Sequence, residues 1–246
     1  MEWRDEGLLI SSRMHGETSA IIQVFTAAHG RHAGVVRGGA SRRMAAVLQP
    51  GTQVQVAWSA RLDSHIGTYT VEPLQSRAAI LNDRIALAAL NAIVALLHLT
   101  LAERDPHPAL WVKTTALLDL LMTPDWQPAY LRWELDLLDA LGYGLDLTTC
   151  AVTGTREDLV FVSPRTGRAV SRAAAGDWAA RLLPLPATLL GTGPMTGPEL
   201  AQGLVLTGHF LNHGLQAVLS GQPMPDARLR LIEMLTRPAP PPPAET

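Results

Sequence analysis

The first part of the chain alternates short apolar runs with turn-forming residues, a pattern that is typical of β-strands. Residues 53–58 show it most clearly, because polar and apolar side chains alternate there as on a strand with one solvated face. Four other runs are rich in isoleucine, valine, leucine and threonine and are separated by glycine-containing turns. The predicted strands cover residues 7–14, 20–26, 31–37, 53–58 and 67–71.

Five short strands with the longest connection between the third and the fourth indicate a small closed barrel. The commonest barrel of this kind is the OB-fold, whose exposed face and loops bind oligonucleotides. A five-stranded SH3-like barrel would give the same pattern, so the spacing of the strands leaves both barrels open.

From about residue 78 the apolar residues recur at helical spacing. Leu131, Leu135, Leu138 and Leu141 follow one another at intervals of four, three and three, and so form one apolar stripe. The predicted helices cover residues 82–101, 107–122, 128–141, 174–183, 197–220 and 226–236, with a small hairpin at residues 159–162 and 169–170. The proline-rich end of the chain cannot continue a helix and is predicted to be disordered.

The predicted fold class is therefore α+β, with an N-terminal five-stranded barrel of the OB-fold or the SH3-like type and a helical domain. The barrel covers residues 1–77, the helical domain residues 78–237 with an insertion at about 145–175, and the tail residues 238–246. The most apolar stretch, residues 85–102, contains Asn91 and His98 and much alanine, which favours a buried helix over a membrane span. The N-terminus lacks the pattern of a signal peptide, and one cysteine in the whole chain suits a reducing cytoplasm.

Charge changes the picture when it is counted by region. The whole chain has 20 Lys and Arg against 22 Asp and Glu, a net charge of -2 that by itself argues against a nucleic-acid partner. Residues 1–80 carry eight arginines and six acidic residues, a net +2, whereas residues 81–246 carry twelve cationic and sixteen acidic residues, a net -4. Between positions 13 and 43 only Glu17 opposes five arginines. They are Arg13, Arg31, Arg37, Arg42 and Arg43.

The segment Arg37-Gly-Gly-Ala-Ser-Arg-Arg43 carries three of these arginines around two glycines. Glycine lets the backbone approach another chain closely, and arginine binds phosphate through two parallel hydrogen bonds. After the third strand of a barrel, such a loop would border the face that tracks a single-stranded backbone. The alternative is a solvated loop whose arginines serve solubility. Aromatic residues for base stacking are few, since Phe25, Trp58 and Tyr69 must partly fill the core.

The usual catalytic motifs are missing from the sequence. Lys113 is the only lysine, which excludes a Walker-type phosphate loop, and no dinucleotide-binding, zinc-protease or serine-hydrolase motif occurs. His29 and His32 share a turn without a third ligand, and nothing next to Cys150 marks it as a nucleophile. The sequence therefore predicts no catalytic residue, no cofactor and no metal.

Two blocks of the sequence resemble a known family. The first block runs from Trp3 to Ser19 and continues through residues 24–26, 29–31, 36–40 and 48–50. The second is Leu131-Arg-Trp-Glu-Leu-Asp-Leu-Leu138, followed by Leu141-Gly-Tyr143 and Cys150. In this order and spacing, over most of the chain, they resemble the bacterial RecO family of DNA repair proteins.

The resemblance implies an N-terminal five-stranded OB-fold β-barrel followed by a helical domain. It also implies a DNA-binding recombination mediator of the RecF pathway and not an enzyme. Such a protein binds single- and double-stranded DNA and anneals complementary strands. With RecR, it helps to load RecA onto DNA coated by the single-stranded-DNA-binding protein. Its location would be cytoplasmic and associated with the nucleoid. The alternative is a protein-interaction scaffold whose DNA binding is weak or incidental.

The resemblance also assigns expected roles to residues. The five arginines of residues 13–43 would form the DNA-binding strip. In the family the helical domain docks the acidic, hydrophobic-ended C-terminal tail of the single-stranded-DNA-binding protein. Arg132, on one helix with Leu135 and Leu138, is expected to hold the terminal carboxylate of that tail. The competing interpretation pairs Arg132 with Glu134, Asp136 or another neighbour.

One departure from the family concerns zinc. Many members have a four-cysteine zinc site with two C-x-x-C pairs in the insertion. Here Cys150 remains, Thr153 stands at the second position, and residues 167–174 contain no cysteine. One thiolate cannot hold a structural zinc ion, so none is predicted, and the hairpin is expected to keep its shape by packing.

Overall fold

The structure, a computed structural model, describes residues 1–62, 64–218 and 223–237. Its N-terminal part is a closed barrel of five strands in the order β1-β2-β3-β5-β4, in which β4 also pairs with β1. The strands are β1 (Glu2–His15), β2 (Ser19–Thr26), β3 (Gly30–Val36), β4 (Gln53–Ser59) and β5 (Thr68–Gln75). A short parallel pairing of Val35 with Thr68 joins β3 to β5, and the other pairings are antiparallel. This topology is the OB-fold, which the strand spacing had left beside the SH3-like barrel.

The alternation in β4 places its apolar residues inside the barrel. Val54, Val56 and Trp58 are buried, and the intervening residues are partly exposed, as the period of two predicts. β1 begins at Glu2, five residues before the predicted start. Its charged first residues hide the strand pattern, and pairing with β4, including Trp3 opposite Trp58, extends the strand.

The connection between β3 and β4 contains a helix that the sequence pattern did not predict. This helix, α1 (Arg42–Val47), is a single short element with no buried residue, so it has no apolar stripe to reveal it. The hydroxyl of Ser41 accepts a hydrogen bond from the backbone N–H of Met44 at 3.4 Å and so caps its first turn.

Long helices form most of the second part of the chain. They are α2 (Arg84–Thr100), α3 (Pro108–Leu120), α4 (Trp126–Ala140), α6 (Gly197–Val218) and α7 (Asp226–Thr236). The carboxylate of Asp83 caps α2 by accepting hydrogen bonds from the N–H groups of Ile85 and Ala86 at 2.8 and 3.0 Å. Among the described residues, no helix is both long and apolar enough to span a membrane. The predicted tail 238–246 and the last two residues of the predicted helix 197–220 lie outside them.

The insertion differs from the prediction in one respect. The expected helix at 174–183 is instead the short α5 (Arg172–Ala175) and a 3-10 helix (Gly176–Arg181), because Gly176 breaks the helix with a φ of 44°. The chain then adds β8 (Leu183–Pro184) to the predicted hairpin of β6 (Leu159–Val162) and β7 (Ala169–Ser171). The hairpin is therefore part of a three-stranded sheet in the order β7-β6-β8.

The barrel and the helices share a hydrophobic core. Leu8, Ile10 and Phe25 of the barrel belong to the same buried cluster as the helices. The loop after α2 runs along β3, where the N–H of Arg104 donates to the carbonyl of Arg31 at 2.8 Å. Gly30 makes this approach possible: its φ is 64°, and a Cβ atom there would lie 2.1 Å from the carbonyl oxygen of Asp105.

A buried ion pair fixes the last helix of the described chain. Arg228 of α7 donates to both carboxylate oxygens of Glu134 in α4, at 2.7 and 2.8 Å. The hydroxyls of Tyr130 and Thr207 donate to the same carboxylate. Both charges are almost fully enclosed, so this network joins α4, α6 and α7 where no water can replace a missing partner.

Candidate nucleic-acid interface

A broad groove of about 910 Å³ lies on the barrel between the β1–β2 loop and the β4–β5 loop. We call it the barrel groove. Its lining is Glu2, His15, Ser19, Val35, Arg37, Ser59, Ala60, Arg61, His65, Ile66, Gly67 and Thr68. OB-folds bind oligonucleotides with the face of strands 2 and 3 and with these same two loops. The groove thus lies where the fold places a ligand, and among its described lining residues two arginines stand against one carboxylate.

Hydrogen bonds with Trp58, Val35 and Arg104 hold residues 65–67 of the β4–β5 loop over the barrel. The indole N–H of the buried Trp58 donates to the carbonyl of Ile66 at 3.0 Å. The backbone N–H of Val35 donates to the carbonyl of Gly67 at 3.1 Å. From the helical part, the guanidinium of Arg104 donates to the carbonyl of His65 at 3.0 Å. The loop that carries Arg61 and His65 is therefore positioned by the barrel core and by the helices together.

Arg37 connects the barrel groove to the neighbourhood of α1. A second, smaller groove of about 410 Å³ is also lined by Arg37 and Thr68, together with Met44 of α1. The turn after Arg37 is tied to the β1–β2 loop, since the N–H of Ala40 donates to the carbonyl of Thr18 at 3.1 Å. The predicted arginine loop thus lies beside the barrel groove.

Arg42 and Arg43 are the first two residues of α1, and both are exposed. The N-terminus of a helix carries partial positive charge, so arginine there is electrostatically unfavourable, and α1 has no acidic residue in its first turn to compensate. Helix stability therefore does not explain these two cations. Their exposure beside Arg37 adds positive charge to the same side of the barrel.

The structure separates the remaining two predicted arginines. Arg13 is exposed near the end of β1 and shares a strand face with His15, which lines the barrel groove. Arg31 lies at the opposite end of β3 from Arg37, about 20 Å away at the rise of a strand. Its guanidinium donates to the carbonyl of Leu101 at 2.8 Å and to the amide oxygen of Gln23 at 3.0 Å, so it contributes to the junction with the helices.

The aromatic residues of the barrel serve its core. Phe25, Trp58 and Tyr69 are buried and offer no face to a base. Trp3 stacks on His29 with ring centroids 4.0 Å apart and meets His32 edge-on. Burial lowers the pKa of His32, so this residue adds no charge to the surface at neutral pH. The barrel groove therefore offers charge and backbone groups more than stacking.

The predicted partner-binding residues do not share one surface. Arg132 is exposed, Leu135 is partly buried, and Leu138 is fully buried in the helical core. The guanidinium of Arg132 donates to the carbonyls of Thr188 and Leu189 at 3.4 and 3.3 Å.

The acidic neighbours of Arg132 have other partners. Glu134 binds Arg228, and Asp136 accepts from the ammonium of Lys113 at 2.6 Å. Leu189 also lines a groove of about 670 Å³, together with other leucines, Arg156 and Asp158. Arg132 therefore contacts the backbone of Leu189, which lines this leucine-lined groove, but does not line the groove itself.

Cys150 is buried against the insertion sheet. Its sulfur accepts hydrogen bonds from the backbone N–H of Ser171 at 3.3 Å and from the Ser171 hydroxyl at 3.5 Å. Burial raises the pKa of the thiol, but donors from Ser171 and Thr153 outweigh it and lower the pKa to about 6. In the described chain, no group of three or more His, Cys, Asp and Glu residues is arranged to hold a metal ion.

Sequence reasoning missed Arg61 and His65 as groove residues. Neither lies in the arginine cluster of residues 13–43, yet both belong to the β4–β5 loop. The usable signal was the OB-fold itself, because that loop is one of its two ligand-binding loops.

The fold and its site define a class: an OB-fold protein with an arginine-bordered ligand groove, joined to a helical domain. Two family models match the chain, Recombination protein O N terminal over residues 1–77 and Recombination protein O C terminal over residues 81–220. The DNA repair protein RecO of Cereibacter sphaeroides strain KD131 is 66% identical over 237 residues, which cover 96% of this chain and 99% of that protein. The proteins of that name from Roseobacter denitrificans and Dinoroseobacter shibae are both 56% identical over 239 residues, with the same coverage.

The chain therefore belongs to the RecO family and has a role in DNA repair and recombination. This confirms the family expected from the two sequence blocks.

Proposed function

We propose that the protein is a recombination mediator that binds single- and double-stranded DNA along the barrel groove and anneals complementary strands. The observation that carries the proposal is the position of Arg37 and Arg61 on a groove between the two ligand-binding loops of an OB-fold. Arg13, Arg42 and Arg43 extend the positive charge on the same side, and the helical part carries the compensating negative charge.

Annealing follows from charge neutralisation. Two DNA strands repel each other, and arginines that neutralise their phosphates lower that repulsion while releasing counterions. An open groove that holds the backbone without burying the bases leaves their pairing edges available to a second strand. The proposal requires no catalytic residue and no cofactor.

The test compares Arg37→Gln/Arg61→Gln with a matched control, Arg84→Gln/Arg230→Gln. The control removes the same charge from exposed positions of α2 and α7. Affinity for labelled single-stranded DNA is measured at several salt concentrations. We expect weaker binding of the groove variant and a salt slope that falls by about 0.7 for each phosphate that the variant no longer neutralises.

Equal affinity and equal salt slope in the two variants would remove the barrel groove from the interface. A strand-annealing assay with the wild-type protein decides the wider proposal. Absence of annealing, with DNA affinity insensitive to every arginine of the strip, would support the scaffold instead.

We further propose that the protein acts with RecR in loading RecA and binds the tail of the single-stranded-DNA-binding protein. The location that we propose with these partners is the cytoplasm, in association with the nucleoid, as the family resemblance implies. For the tail, the leucine-lined groove near Arg132 supports docking, because an acidic peptide with an apolar end needs both a pocket and a cation.

The tail proposal is tested with a peptide of that sequence. Arg132→Ala and Arg156→Ala should each weaken peptide binding, and Arg84→Ala should not. Loss of affinity with Arg156→Ala alone would move the carboxylate from Arg132 to Arg156.

A further inference from the structure

Trp178 is a large aromatic side chain that the fold leaves exposed. It lies in the 3-10 helix Gly176–Arg181 with 63% of its surface accessible. All six tryptophans fall within the described residues, and the other five are buried or half-buried. The neighbouring Ala175 is buried and Ala179 packs against the helical core, so this segment turns its small residues inward and its indole outward. An apolar side chain exposed in this way is a candidate for a contact surface.

Arg181 accompanies the indole. Its guanidinium carbon lies over the Trp178 ring, 5.1 Å from the centroid, and both side chains are exposed. Arg172 is also exposed and forms an ion pair with Asp158, with 3.3 Å between Nε and a carboxylate oxygen. An aromatic face beside arginine is the combination with which proteins hold unpaired nucleotides, because the ring stacks on a base and the cation attracts its phosphate.

The local charge supports an anionic ligand. Residues 165–181 contain four arginines and one aspartate, a net +3, which falls to +1 when Asp146 and Asp158, the ion-pair partners of Arg168 and Arg172, are included. The rest of residues 81–246 contains eight cationic and fifteen acidic residues, a net -7. Within the acidic part of the molecule, the segment that exposes Trp178 is therefore a positive island, and a polyanion is attracted to it and repelled by its surroundings.

We propose that Trp178 and Arg181 form a second single-stranded DNA contact, in which an unpaired base stacks on the indole and a phosphate lies near the guanidinium. The inference rests on the proposed function, since it takes DNA as the ligand. A base needs only an open aromatic face, whereas an apolar peptide side chain needs an enclosing pocket. The open position of Trp178 therefore favours a nucleotide over a peptide.

This contact supplies what the barrel groove lacks. The barrel buries Phe25, Trp58 and Tyr69, so its groove holds single and double strands mainly through their phosphates. Stacking on Trp178 requires a base that is not paired. The contact thus raises affinity for single strands selectively and keeps a bound strand open before annealing.

The test uses oligothymidylate, an abasic strand of the same length and a duplex, each bound to the wild-type protein, Trp178→Ala and Trp178→Phe. Stacking of a base on an aromatic side chain contributes to single-strand affinity, so we expect Trp178→Ala to weaken oligothymidylate binding by about tenfold. Trp178→Phe should recover part of this loss. Binding of the abasic strand and of the duplex should stay unchanged, because neither presents an unpaired base.

Val205→Ala serves as a matched control, since Val205 is an exposed apolar residue of α6 that lies outside the positive island. Unchanged oligothymidylate binding by Trp178→Ala, with normal binding by the wild type, would overturn this contact and leave the barrel groove intact. An equal loss for the abasic strand would also overturn it, since charge or folding would then explain the effect. Failure of the wild type to bind any of the three strands would instead overturn the proposed function.

Discussion

At the scale of single residues, Cys150 is a buried group whose protonation is decided by its hydrogen-bond donors. Desolvation favours the neutral thiol, but N–H and O–H groups of Ser171 and Thr153 point at the sulfur and favour the thiolate. The pKa falls from its ordinary value of 9.0 to about 6, so the thiolate predominates at neutral pH. Nothing next to Cys150 in the sequence indicated a lowered pKa, because Ser171 comes within hydrogen-bond distance of the sulfur only in the folded chain.

This makes the titration of Cys150 a direct test. It is the only cysteine, so thiolate absorbance near 240 nm reports it alone, and we expect a midpoint near pH 6. Because the folded pKa lies below the unfolded pKa, the stabilisation is fully present above about pH 9 and is lost as pH falls through 6. The difference in unfolding free energy between wild type and Cys150→Ser should therefore increase with pH across this window. A midpoint above pH 8 would contradict the donor arrangement.

Gly67 positions the β4–β5 loop by the absence of a side chain. Its φ is 66°, and a Cβ atom would lie 2.4 Å from the indole nitrogen of Trp58. Gly67→Ala should therefore displace the loop and weaken DNA binding, because Arg61 and His65 move with it. Gly142→Ala is the matched control: its φ is 82° but nothing lies near the new methyl group. Both variants should lose about 1 kcal/mol of stability from backbone strain. Gly67→Ala should lose more because of its clash with Trp58, and it alone should lose DNA affinity.

At the scale of elements, the hydrophobic pattern predicted most strands and helices of this chain. The leucine stripe of α4 and the alternation in β4 are strong periodic signals, and both elements occur at the expected positions. α1 and β8 were missed because a helix of one or two turns and a two-residue strand have no period to detect. The start of β1 was missed because its pairing with β4, rather than its own composition, makes it a strand.

The residues of the candidate site also divide into those that the sequence pattern indicated and those that only the fold brings together. The arginine loop next to the barrel groove was visible as a cluster in the sequence. Arg61 and His65 join the groove through the closure of the barrel, which brings the β4–β5 loop next to the β1–β2 loop. Trp178 carried no signal at all, since exposure of an indole is a property of packing and not of sequence spacing.

The docking of α7 combines apolar packing of Leu231 with one buried ion pair, and the contribution of the ion pair can be measured. Arg228→Leu leaves the Glu134 carboxylate buried without its cation, so we expect a loss of about 3–5 kcal/mol in the free energy of unfolding by urea. The double variant Glu134→Leu/Arg228→Leu removes both charges and should recover a large part of that loss. Equal instability of the single and the double variant would mean that shape, and not charge, holds α7.

At the scale of the whole molecule, Arg31 has a structural role that sets it apart from the arginines of the proposed DNA interface. Its guanidinium joins β3 to Leu101 at the end of α2. Desolvation, and after it the charge of Arg31, lowers the pKa of His98. The loop after α2 lies along the same strand. Arg31 therefore belongs to the contact that fixes the barrel relative to the helices.

We therefore expect Arg31→Ala to lower stability without changing the salt slope of DNA binding, and Arg13→Ala to lower the salt slope without changing stability. Arg31→Ala removes hydrogen bonds from a charged group at the junction, so we expect stability to fall by about 1.5–3 kcal/mol and the salt slope of DNA binding to stay unchanged. Arg13→Ala removes an exposed cation near the barrel groove, so its stability should stay within about 0.5 kcal/mol of the wild type while the salt slope decreases. The two variants carry the same change in charge, which makes each the control for the other. A reduced salt slope with Arg31→Ala in a stably folded protein would show that DNA reaches the junction, and the interface would then extend from the barrel onto the helices.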